Sequence, residues 1–231
     1  MGTFYGNVLV ARKCAEVVPL LAGATAQDGR ALRGYAIPAG PGHTVLFFPD
    51  PDTDAIELAG PLSRLLGTAT LSSYVLPHSR LRSSGGTPIS DVLDLRVFED
   101  GEERHFYDSY PGYFDEGETD EDGNPVGGDS VRPDPEGADP EALLPFAAAP
   151  VDRVVLESVL RRMALDPEEG GRDGRYVFAE DQHYDVMETL GLDGRRLSTG
   201  YTGLSRGELP EGLLLEELMV FGGATFGPAG D

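Results

Sequence analysis

Tryptophan is absent from the 231 residues, cysteine and lysine occur once each, and histidine occurs four times. A single thiol, Cys14, excludes an internal disulfide and a zinc site built from cysteines alone, which fits a reducing compartment. Its position on a short helix predicted over Lys13 to Ala22 suits a small buried apolar residue better than a reactive thiol. No stretch approaches the ~18 consecutive apolar residues of a membrane span. The opening "MGTFYGNVLVARKC" has no basic region ahead of a long apolar run, so neither secretion nor membrane insertion is expected. Gly6 stands where myristoylation wants Ser or Thr. The chain also lacks a P-loop, a dinucleotide fingerprint, H-E-x-x-H and any CxxC pair.

Basic residues are scarce. Against 40 Asp and Glu stand 18 Lys and Arg, for a formal charge of −22, and all the basic residues but Lys13 are arginine, a bias typical of a GC-rich genome. Asp115 to Glu141 holds eleven carboxylates and one Arg, net −10, so the rest of the chain remains acidic at −12. Such a field repels phosphate backbones and anionic lipid, which excludes nucleic acid and membrane surfaces as expected partners and favours cations and basic proteins. Gly at 31 and Pro at 18 are frequent, yet the 40% apolar fraction is that of a folded protein.

Along the chain, "TFYGNVLVA" is β-branched and aromatic and reads as a strand, followed by the Lys13–Ala22 helix. "GYAIP" and "HTVLFFP" read as strands joined through the Gly-Pro cluster "AGPG". Ala55, Leu58, Ala59, Leu62, Leu65 and Leu66 recur at helical spacing after an acidic start, with Gly60-Pro61 expected to kink the helix. "ATLSSYVL" is a strand, and "DVLDLRVFED" and "ERHFYDSY" are expected to pair around an Asp100-Gly101 turn. The order β-α-β-β-α-β plus an extra hairpin predicts an α+β fold. It is a ferredoxin-like split-βαβ antiparallel sheet, with helices on one face and a mostly helical C-terminal part. Residues 1–110 form the expected sheet domain, 111–140 an acidic Gly/Pro-rich loop or linker, and 141–231 a mostly helical part packing on the sheet. In that last part a helix is expected from a first-turn Pro150, and a second from about Phe178 to Leu190, capped by Gly191. Residues 208–221 fit either a helix or a buried strand.

Four features carry possible chemistry. Glu118, Asp120, Asp122, Gly123, Asn124 and Asp129 fall at positions 1, 3, 5, 6, 7 and 12 of a calcium-loop spacing. Glu at position 1, Pro125 and the short Asp129 depart from that pattern, and no amphipathic helices flank it, so an acidic linker also explains it. "GLSRG" matches the nucleophile elbow at Ser205, but no histidine follows it in the chain, which favours a plain turn. Glu180 and His183 form Glu-x-x-His on the predicted 178–190 helix, an element that di-iron bundles use twice and that appears here once. His183 shares a face with Ala179, Val186 and Met187, so a buried, hydrogen-bonded histidine is the simpler reading. His43, His78 and His105 show no local metal spacing. Lastly, "HFYDSYPGYF" sets aromatic rings beside acids, and Tyr107, Asp108, Tyr110 and Tyr113 are candidate partner-binding residues. The same rings could instead staple the loop to its own domain.

The segments "MGTFYGN", "YDSYPGYFD", "YVFAEDQHYDVMETLGL" and "GELPEGL" together resemble an uncharacterised bacterial protein family that opens M-G-T-F-Y-x-N. The resemblance spans the chain on both sides of the acidic segment. It implies a shared fold and a cytoplasmic bacterial protein, and brings no activity, cofactor or catalytic residue. The sequence thus leans away from an enzyme and assigns no catalytic residue. The leading expectation is a cytoplasmic, acidic binding or regulatory protein, of the toxin-neutralising type among others, that recognises a basic protein. The alternatives are a calcium-responsive protein using Glu118, Asp120, Asp122 and Asp129, and a hydrolase assembled from distant residues.

Overall fold

Six consecutive buried residues, Tyr5–Val10, make the central strand β1. Tyr5 and Leu9 enter one hydrophobic core, while Val8 and Val10 enter a second on the opposite face. A strand covered on both sides needs no polar alternation, so Val8, Leu9 and Val10 follow one another, and the buried Asn7 donates its side-chain amide to the Leu197 carbonyl. The structure, a computed structural model, describes residues 4–26, 28–50, 54–76, 92–111, 133–171 and 173–226. After β1 come α1 (Cys14–Leu21), β2 (Gly34–Gly40), β3 (His43–Phe47), α2 (Asp54–Leu66), β4 (Thr70–Leu76), β5 (Val92–Glu99) and β6 (Glu102–Asp108). A 3-10 turn over Pro140–Phe146 leads to α3 (Arg153–Leu160), α4 (Ala179–Thr189), α5 (Gly194–Leu197), α6 (Tyr201–Ser205) and β7 (Met219–Phe221).

The protein is mixed α+β. Its seven strands lie in the order β6-β5-β4-β1-β3-β2-β7 with every neighbouring pair antiparallel. The inner four, β4-β1-β3-β2, are the expected split-βαβ unit, and the β5–β6 hairpin extends it on the β4 side. That hairpin turns at Asp100 (φ 51°) and Gly101 (φ 84°), both left-handed, as the tight two-residue turn requires. Arg104 is an extra residue on β6, because Val97 faces His105 while Phe98 faces Glu103.

Helices α1 and α2 cover one face, where Val17, Leu21, Leu58 and Leu62 meet Val8, Val10, Leu46 and Phe98. The expected C-terminal helical part packs on the opposite face, which α3 and α4 cover through Leu156, Leu160, Val186 and Met187. The first of them starts at Arg153 instead of Pro150 because the Asp152 carboxylate accepts from the amides of Val154 and Val155 and fixes the N-cap there. The second ends as expected, with Gly191 in the left-handed conformation (φ 76°). Residues 208–221 are neither a regular helix nor a long strand. A 3-10 turn over Leu215–Glu217 delivers three residues of β7 to the free edge of β2, pairing Phe221 with Gly34. Cys14 is buried at the start of α1, and burial pushes its thiol pKa up. Among the described residues no helix is long and apolar enough to cross a membrane.

The end of the expected 111–140 segment lies along the outer edge of β6. Glu136 and Asp108 exchange backbone hydrogen bonds of 2.9 and 3.1 Å, and the His105 ring bonds the Gly137 carbonyl at 2.8 Å. Gly137 sits at φ 69°, and a Cβ there would come within 1.9 Å of the Phe106 carbonyl oxygen. Gly137→Ala is expected to destabilise the protein by about 2 kcal/mol or more, from backbone strain and the overlap together. Urea unfolding measures this, and an unchanged midpoint would contradict the close contact.

His183, on α4, is fully buried, and its Nδ1 lies 2.8 Å from the Tyr5 hydroxyl. Burial pushes its pKa down to about 3, so the folded protein holds a neutral imidazole. An unfolded histidine takes up a proton near pH 6.5, so this neutral ring contributes its full stability above that pH. The contribution falls by about 1.4 kcal/mol per pH unit as the solution is acidified from there toward the folded value. Wild type should therefore lose its stability advantage over His183→Gln between neutral pH and pH ~4. Parallel stability profiles would show that His183 is not held neutral.

Candidate partner-binding site

At one end of the sheet, on the face shared with α1 and α2, antiparallel register aligns Asp108 with Asp94 and Asp94 with Tyr74. The next row aligns Phe106, Arg96 and Ser72. Strand alternation puts Asp94 and Arg96 on this face while Leu93, Leu95 and Val97 enter the opposite core.

Arg96 organises the cluster. Its Nε and Nη2 bond the two carboxylate oxygens of Asp94 at 3.0 and 2.9 Å. Its Nη1 lies 3.5 Å from Glu103, and the guanidinium sits 5.0 Å from the centroid of the Phe106 ring. The fork fits the carboxylate bidentately, and the ring face supports the cation. Asp94 is buried, at 5% exposure. Asp108, at 8%, accepts from the Tyr110 amide at 2.7 Å, and its partner Glu136 is exposed. Burial raises the Asp108 pKa above the ordinary carboxylate value, and repulsion from Asp94 and Glu136 adds to the rise. The Tyr110 amide and Arg96 oppose it. Beside these charges the Phe4 and Tyr74 rings meet edge to face at 5.6 Å.

Arg96 thus pairs with Asp94 and Glu103, most closely with Asp94, while Asp108 beside them is repelled by both Asp94 and Glu136. The surplus is negative, lies against aromatic rings and is partly desolvated. Chemically this arrangement can receive a cationic side chain, which would compensate Asp108 and stack on exposed ring surface.

The candidate partner residues separate here. Tyr107 belongs to the core, because the helix layer covers its face. Its hydroxyl donates to the Leu160 carbonyl at 2.7 Å and accepts from the Gln182 amide at 2.7 Å. Tyr107 is therefore not available to a partner, and Phe106 and Asp108 lie on the other face of β6. Tyr110 is partly exposed beside Asp108. Tyr113 and the calcium-loop residues Glu118, Asp120, Asp122 and Asp129 lie outside the described residues, as does His78. Among the described residues no group of three or more His, Cys, Asp or Glu side chains is placed to hold a metal. Ser205 ends the short helix α6, and its hydroxyl bonds the Thr202 carbonyl at 2.9 Å, so "GLSRG" is a helical turn and not a strand-to-helix elbow. His43 and His105 bond the carbonyls of Pro41 and Gly137.

Asp94 and Arg96 were missed by sequence reasoning. Their signal is the pattern "VLDLRVF", in which two opposite charges take the i and i+2 positions of one strand face while leucines and valine hold the other. No family model, no curated protein and no solved structure matches the chain.

Replacing Arg96 with Met would leave Asp94 buried without its guanidinium and push the Asp108 carboxyl further up. A carboxyl raised in the folded state weakens folding above its pKa and recovers as acid protonates it. Arg96→Met is expected to cost about 2–3 kcal/mol at neutral pH, below the usual ~3–5 kcal/mol for a broken buried pair because Arg96 is partly solvated. Measured near pH 4, the loss should shrink to less than half. A pH-independent loss would mean that packing, not charge, explains it.

Proposed function

We propose that this chain is a non-catalytic binding or regulatory protein of the bacterial cytoplasm. It uses the Asp94–Asp108 end of its sheet to take a basic partner protein, in the manner of a protein that neutralises a toxin. The observation that carries this reading is the surplus of carboxylates around Arg96, two of them buried, in a chain of net charge −22. A partly desolvated carboxylate that lacks full compensation gains most from an incoming arginine or lysine, and the neighbouring rings supply contact area typical of interface anchors. The long-range negative field would speed encounter with a basic surface and make association salt-sensitive.

Glu103 and Glu136 are exposed, so reversing their charge leaves the core intact. Affinity capture from native lysate should retain basic proteins on the wild type at low salt, release them at high salt, and fail with the Glu103→Lys/Glu136→Lys variant. Equal retention by that variant, or no retention by the wild type, would sink the proposal.

A further inference from the structure

Far along the chain's other charge pattern, two arginines face an apolar hollow. Residues of the α1–β2 connection, the end of β3 and the first turns of α2 enclose a cavity of about 370 Å³. Its apolar wall is formed by Leu32, Phe48 and Leu58, each no more than 7% exposed. Its polar groups are Arg30, Arg33 and Asp54.

The three charges are not equivalent. Asp54 is 3% exposed and already compensated: Arg30 Nη2 lies 3.2 Å from one carboxylate oxygen, and the Asp50 amide donates to the other at 3.2 Å. Asp54 also opens α2, where the helix dipole favours a negative charge. Arg30 is held between Asp54 and the exposed Asp28. Arg33, by contrast, is exposed and forms no hydrogen bond or ion pair among the described residues. Among the described residues the uncommitted charge at this cavity is therefore positive, in a chain whose overall excess is strongly negative.

We propose that this cavity is a binding site for a small monoanion with a flat apolar body, such as an aromatic monocarboxylate. The body lies against Leu32, Phe48 and Leu58, and Arg33 pairs with the carboxylate. Arg30 is fixed by Asp54 and Asp28 and lines the mouth as a second donor. The volume falls in the range of small-molecule sites, which join an apolar lining to a few placed polar groups. A cation is disfavoured because the one buried acid is already occupied. A neutral molecule would leave Arg33 unused. A dianion would meet, among the described residues, one uncommitted guanidinium within a repelling field. This site is separate from the acidic end of the sheet and does not depend on that proposal.

The absence of tryptophan makes the test direct, because an indole ligand can be followed by its own fluorescence. Indole-3-acetate, its neutral amide and the cation tryptamine should be titrated against the full chain. Indole-3-acetate is expected to bind at least about tenfold more tightly than the other two. Arg33→Gln should reduce it to the level of the amide. A second variant, Ala31→Phe, adds bulk at the exposed rim and should weaken the acetate and the amide alike. The proposal is overturned if indole-3-acetate does not saturate the protein, if the amide or tryptamine binds as well, or if Arg33→Gln binds like wild type.

Discussion

Helices on both faces of one antiparallel sheet leave little of that sheet for contact with anything else. Val8 and Val10 face α1 and α2, and Tyr5 and Leu9 face the C-terminal helices, so the middle of the molecule is closed. Several polar groups inside are hydrogen-bonded: the hydroxyl of Tyr5 meets His183 Nδ1, that of Tyr107 meets Leu160 and Gln182, and the Asn7 amide nitrogen donates to the Leu197 carbonyl. A histidine so enclosed is held uncharged and out of reach of a substrate. The two sites proposed above lie where the layers end. One is the tip of β4, β5 and β6, beyond the reach of α2; the other is the mouth between the α1–β2 connection and the start of α2.

Those two places carry opposite local charge. At the first, the alternation that makes Leu93 and Leu95 core residues compels Asp94 to face Asp108 across the hairpin, and one arginine serves several carboxylates. At the second, Asp54 consumes one arginine and Arg33 remains. Charge surplus, and not charge itself, separates a recognition surface from a settled ion pair, since exposed pairs contribute little. Arg195–Glu211 and Arg161–Glu157 are of the settled kind: each exposed cation meets one acid.

Much of the architecture was legible in local sequence, and the reasons are specific. Asp100-Gly101 announces a hairpin because both residues tolerate the left-handed backbone that the turn demands. The β-α-β-β-α-β order follows from period and breakers, and it fixes which strands can be neighbours. What could not be read is which face of β6 would be covered. Alternation separates Tyr107 from Asp108, but the covering layer is supplied by Leu160 and Gln182, more than fifty residues later. The same limit hid the Asp94–Arg96 pair, whose meaning appears only when Phe106 and Asp108 are set beside it in register. Residues 208–221 were ambiguous because three residues of strand, stabilised only by the free edge of β2, leave no periodicity to detect.

The central claim is that Asp108 is part of an incompletely compensated acidic site that accepts a basic side chain. Its own titration is the most direct reporter. Carboxyl-selective NMR should find the Asp108 pKa above the ordinary carboxylate value in the free protein, for the burial and repulsion described. Saturation with an arginine-rich peptide should bring it down, because a neighbouring cation favours the charged form. An Asp108 titration that the peptide leaves unmoved, while other surface carboxylates respond, would contradict the account.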